Sequence, residues 1–155
     1  MSSLDIRKIL TDSKTIAVVG LSREPGKASY QVATYLKKHG YRIVPVNPFA
    51  HEVLGEKSYP TLLEIPADIQ KEIDVVDIFR RPEAVMPIVK EAVKLHEEHG
   101  KPSVVWMQLG IVNKESAEVA RKAGLKVVMD KCIMQEHKRL FGKQPKRCRL
   151  APTKQ

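Results

Sequence analysis

IAVVGLSREPGKASY, residues 16–30, is the stretch on which the fold turns. It opens on a continuous apolar run, the pattern of a strand buried on both faces. The run breaks at Gly20 into a short loop bearing Ser22 and Lys27, and a helical segment follows. A strand that enters a helix through such a loop aims backbone N–H groups and a helix N-terminus at an anion, most often a nucleotide phosphate. Spacing excludes the two commonest versions. G-x-G-x-x-G is absent; five residues separate Gly20 from Gly26 where Walker A has four, and Ala28 rather than Ser or Thr follows Lys27. In this loop Gly20 is expected to let a ligand approach the backbone, with Ser22 offering a hydroxyl and Lys27 a cation.

The same alternation recurs along the chain. LKKHGYRIVPV, HEEHGKPSVVWM and RKAGLKVVM each carry a charged helical end, a Gly and then an apolar, β-branched run. Gly40, Gly100 and Gly124 fit the left-handed residue that closes a helix. With residues 15–19 and 74–79 this predicts five parallel strands. Between them, Val85, Ile88, Val89, Ala92 and Val93 fall on one helical face behind a first-turn Pro82. Pro87, five residues further in, is expected to kink that helix. Asn113 reads as the N-cap of a helix to Ala123. Residues 51–73, broken by Gly55, Pro60 and Pro66, read as an excursion with a turn or brief helix. A last helix is expected from Asp130 to about His137, with an extended tail beyond Gly142. The fold class is α/β: an open, doubly wound sheet with helices on both faces and right-handed crossovers.

Charge is unevenly placed. The chain carries +9, but residues 138–155 hold seven Lys or Arg and no acid, so removing those seven leaves only +2 for the rest. The body is nearly balanced and does not read as a nucleic-acid surface; the basic end reads as a solvated tail. The expected division is a domain over residues 1–140 and a basic C-terminal tail over 141–155. No apolar run approaches the ~20 residues a membrane span needs, and the N-terminus reads as a short amphipathic helix, so a cytoplasmic protein is expected. Cys132 and Cys148 have no metal spacing, though a disulfide between them would suit a thermophile cytosol. Only two Asn among abundant Lys and Glu point the same way.

In open α/β sheets, ligands sit outside the carboxyl ends of the strands at the switch point, which selects the residues to inspect. Gly20, Leu21 and Ser22 follow the first strand. Asn47 and Pro48 follow the second, where NAD enzymes carry an acid for the ribose 2′-OH; Asn47 could bond to an adenosine and Pro48 pack on its ring. Phe79, Arg80 and Arg81 follow the third: an aromatic ring to cover an adenine or a pantetheine chain, beside two guanidinium groups suited to phosphate. Gln108, after the fourth, could bond to an amide or phosphate, with Trp106 below it in the core. Cys132 follows the fifth. For catalysis and metals there is little. Asp74 and Asp77 read as capping or pairing residues, His96 and His99 as solvent-facing, and no G-x-S-x-G, HExxH or CxxC occurs.

Taken in order, VVGLSREPGK, GYRIVPVNP, YPTLLEIP, DVVDIFRRPE, VWMQLGI and DKCIMQEH resemble the small stand-alone CoA-binding proteins. Through them the chain is similar to the N-terminal CoA-binding domain of the succinyl-CoA synthetase alpha subunit, over roughly residues 5–140. The resemblance implies a Rossmann-like domain holding coenzyme A, free or acylated. It assigns Gly20, Leu21, Ser22 and Lys27 to the CoA phosphates, Asn47 and Pro48 to the second-strand corner, and Phe79, Arg80 and Arg81 to the nucleotide, with Gln108 a weaker carry-over. No histidine maps onto the phosphorylated histidine of the synthetase, so the expectation is a non-catalytic carrier, sensor or redox-protection module that could meet a protein partner or a second copy of itself. The alternatives are an NAD(P)-dependent oxidoreductase or nicotinamide redox sensor, and a nucleic-acid binder acting through the tail.

Overall fold

The computed structural model describes residues 1–142. The tail from residue 143 onward, and with it Cys148, lies outside the described residues. The chain runs α1 (Ser3–Asp12), β1 (Thr15–Val19), α2 (Ala28–Lys38), β2 (Arg42–Val46), β3 (Glu52–Val53), β4 (Glu56–Lys57), α3 (Ala67–Gln70), β5 (Val75–Ile78), α4 (Val85–His99), β6 (Val104–Met107), α5 (Lys114–Lys122), β7 (Lys126–Val128) and α6 (Ile133–Phe141). Five strands form one sheet in the order β2-β1-β5-β6-β7, and all four pairings are parallel. The chain leaves β1 for one edge and returns at β5 to build toward the other, so the switch point lies between β1 and β5.

Helices cover both faces, as the unbroken apolar strands require. On one side Ile16, Val18, Val75 and Trp106 pack with Ile6 of α1, Leu36 of α2 and Ile133 of α6. On the other, Ala17, Val76, Ile78 and Val105 pack with Val89 and Leu95 of α4 and Ala117 of α5. Gly40, Gly100 and Gly124 have φ of 94°, 80° and 98°, the left-handed geometry expected of them. Asn113 caps α5 through a 2.9 Å bond from the Ser116 N–H.

Four local expectations need correction. Pro87 does not kink α4, because a 3-10 turn over Pro82–Ala84 precedes the helix; Pro87 then falls in the first α-turn, where its missing N–H has no intrahelical acceptor to lose. Residues 51–73 hold the brief helix expected of them, α3, but also an unexpected β3–β4 hairpin, whose turn residues Leu54 and Gly55 have φ of 55° and 77°. The last helix continues past His137 to Phe141 because both rings pack on neighbours: His137 meets Tyr35 edge-on, and the Arg7 guanidinium lies 4.7 Å from the Phe141 ring centre. Finally, His96 and His99 do not face water freely. His96 bonds to the Pro102 carbonyl and His99 to Gln70.

Asp74 caps as expected, accepting from the Lys14 and Thr15 N–H groups and pairing with Lys101 at 2.8 Å. Asp77 does neither. It stands in the centre of β5 between Val18 and Trp106, fully buried, with neither carboxylate oxygen bonded among the described residues. Burial pushes its pKa well above the ordinary carboxylate range.

Candidate functional site at the switch point

The β1–α2 loop is built to be rigid. The Ser22 N–H donates to the Ser29 hydroxyl at 2.9 Å, and the Ser22 hydroxyl accepts from the Glu24 N–H at 3.0 Å. Lys27 occupies the N-cap of α2, exposed and without a side-chain cap. The Ala28, Ser29 and Tyr30 N–H groups therefore have no acceptor within the helix. No acid sits in the first turn of this 11-residue helix to neutralise its positive end.

Gly20 is required by the fold itself. Its φ is +87°, and a Cβ there would overlap the carbonyl oxygen of Phe79. The glycine allows the ends of β1 and β5 to close on each other. Leu21 is buried in the core, so only its backbone is available to a ligand. Asn47 is likewise committed inward: its Nδ2 donates to the Leu21 carbonyl at 2.9 Å, and its Oδ1 accepts from the Phe49 N–H at 2.7 Å. It fastens the second-strand corner to the phosphate-type loop. Pro48, exposed beside it, lines a cleft.

Two clefts open at the carboxyl ends, one on each side of β5. The first, of about 380 Å³, lies against α2 and α6 and holds Val32, Phe79, Gln108 and Cys132. The second, of about 210 Å³, lies against α4 and holds Pro48, Pro60, Thr61, Arg80 and Glu91. The strand's alternation thus separates Phe79 from Arg80, which were expected side by side. Arg81 is exposed and 3.9 Å from Glu83. Gln108 is buried at the floor of the first cleft, where its Oε1 accepts from the Ile133 N–H at 3.1 Å and caps α6. Among the described residues its amide Nε2 has no acceptor and is left as a donor. Pro60, Thr61, Ile111 and Met134 were not singled out from the sequence. They reach the clefts from separate loops and helices, and nothing in their local pattern distinguishes them from packing residues.

A family model described as CoA binding domain matches residues 14–138. The chain belongs to this CoA-binding domain family. It is 40% identical over 136 residues to YneT, an uncharacterized Bacillus subtilis protein, covering 88% of this chain and 94% of that one. The structure of a hypothetical protein from Pyrococcus horikoshii superposes with a TM-score of 0.83 at 43% identity, covering 92% of this chain and 94% of that one. The alpha subunit of an ADP-forming acetate–CoA ligase from Pyrococcus furiosus is 32% identical over 128 residues, but the match spans 76% of this chain and only 26% of the subunit. The expected likeness to a CoA-binding domain and the Rossmann-like parallel sheet are both borne out. The composition, poor in Asn and rich in Lys and Glu, fits the Pyrococcus neighbours. Among the described residues no helix is long and apolar enough to cross a membrane.

Proposed function

We propose that this chain binds coenzyme A or an acyl-CoA across the switch point, and acts as a carrier, sensor or redox-protection module without chemistry of its own. The observation that carries the reading is the α2 N-terminus at the switch point, with the uncapped Lys27 on it and a cleft on each side of β5. A pyrophosphate fits at the free N–H groups of α2. The adenosine then lies toward Pro48, Pro60 and Arg80, and the pantetheine arm toward Phe79 and Gln108. Lys27, Arg80 and Arg81 supply cations for the phosphates, Gly20, Leu21 and Ser22 supply backbone, and Asn47 holds the loop in place. The binding domain in this reading runs from residue 1 to the end of α6 at Phe141, one residue past the expected boundary at 140.

The nicotinamide alternative is disfavoured because Asn47 and Pro48 stand where a ribose-binding acid would, with the Asn47 amide spent on the backbone. The ligase activity of the longer relatives is not carried over. A protein partner or a second copy would receive the loaded coenzyme. Calorimetric titration with CoA, dephospho-CoA, NAD and NADP tests the reading. CoA should bind at micromolar affinity or tighter and NAD far more weakly. Dephospho-CoA should bind roughly tenfold or more weaker than CoA, the value of one charge-assisted contact to the 3′-phosphate. Equal or preferential binding of NAD would overturn the proposal.

A further inference from the structure

The cleft beside α2 differs from its neighbour across β5 in a way that selects among ligands: none of the described residues lining it is charged. Its walls are Val32, Phe79, Leu109, Ile111, Cys132 and Met134, and its polar contributions are the amides of Gln31, Gln108 and Gln135. The opposite cleft, by contrast, has Arg80 and Glu91 among its lining residues. Resting on the reading that the chain binds coenzyme A, we propose that the uncharged cleft takes the thioester end of an acyl-CoA and selects short, uncharged acyl groups against carboxyacyl groups.

The direction of the ligand follows from the anion site. With the pyrophosphate at α2, the two ends of the coenzyme leave it on opposite sides of β5. The side with the guanidinium and the prolines suits the adenosine and its 3′-phosphate. The uncharged side remains for the pantetheine arm. There Gln108, 4% exposed and held by its bond to Ile133, keeps an Nε2 donor for an amide or thioester carbonyl. About 380 Å³ is room for the end of the arm and a short chain. A carboxylate brought into it loses water and gains no cation. A methyl group of the same reach loses nothing and buries apolar surface.

Matched pairs isolate that charge. Butyryl-CoA and succinyl-CoA differ only by a methyl against a carboxylate, as do propionyl-CoA and malonyl-CoA. In calorimetric titration of the full chain, each carboxyl member should bind at least tenfold more weakly than its partner, while free CoA binds. Equal affinities within both pairs, with CoA still bound, would overturn the assignment of the cleft and leave CoA binding standing; no binding of CoA would overturn the reading beneath it. Gln31→Lys, at an exposed position of α2, places a cation on the cleft wall. It should close the gap within each pair to about threefold by tightening the carboxyl members. A gap unchanged by that lysine would refute the proposal.

Discussion

Replacing Asp77 should make the protein more stable. Asp77 is fully buried in the central strand, and its carboxyl oxygens find no donor among the described residues. Leaving a buried polar group unsatisfied costs about 1–3 kcal/mol. Val suits the site, since Val18 lies beside it on β1 and Val75 and Val76 precede it on β5. Asp77→Val should therefore gain about 1–3 kcal/mol, which in a domain of this size raises Tm by about 2–4 °C for each kcal/mol. The pH dependence gives the second half of the test. A carboxyl whose folded pKa is raised binds its proton more tightly in the native state, so its contribution is fully present below about pH 3.8 and is lost as pH rises toward the folded value. The advantage of the Val variant should be smallest near pH 3.5, where only the unsatisfied neutral carboxyl is removed, and grow toward neutrality. Other carboxylates titrate alike in both proteins and cancel in the difference. Denaturant unfolding of the two proteins from pH 3.5 to 8 reads it directly. A Val variant that is less stable by the same amount at every pH would refute the reasoning, for it would mean that the carboxyl is satisfied and that its removal only disturbs packing.

Gly20→Ala should destabilise by about 2 kcal/mol or more, because its Cβ meets the Phe79 carbonyl at positive φ; thermal melts should show the loss alongside any loss of CoA affinity, and a variant of unchanged Tm would contradict the close approach of β1 and β5. Lys27→Ala and Arg80→Ala should each weaken CoA roughly tenfold while leaving Tm within a degree or two, with a smaller effect at 0.5 M salt; unchanged affinity in both would remove the cations from the site. His137, which accepts from or donates to the Tyr35 hydroxyl at 2.7 Å, has its pKa lowered to about 4 by burial and by His39. Its contribution to stability is present above about pH 6.5 and is lost as pH falls toward 4, so His137→Phe should lose less stability than the parent over that window, and parallel pH profiles would refute the linkage.

Much of the framework was legible because it rests on local chemistry. The apolar runs at 15–19 and 104–107 bury both faces of a strand, and Gly40, Gly100 and Gly124 close helices at positive φ; each signal lies within a few residues of its cause. The strand-end rule likewise picks out Gly20, Asn47, Phe79, Arg80 and Gln108 from their places after the strands. What those residues do was decided by tertiary structure. Gly20 answers to the Phe79 carbonyl 59 positions away, Asn47 to the Leu21 carbonyl, and Gln108 to the Ile133 N–H. The side of β5 taken by Phe79 and by Arg80, the orphaned carboxyl of Asp77 and the uncharged wall shared by Val32, Ile111 and Met134 all depend on strand order and helix placement. Alternation along one strand is written in the sequence, but the groups facing a side chain across a sheet come from distant segments, and packing alone brings them together.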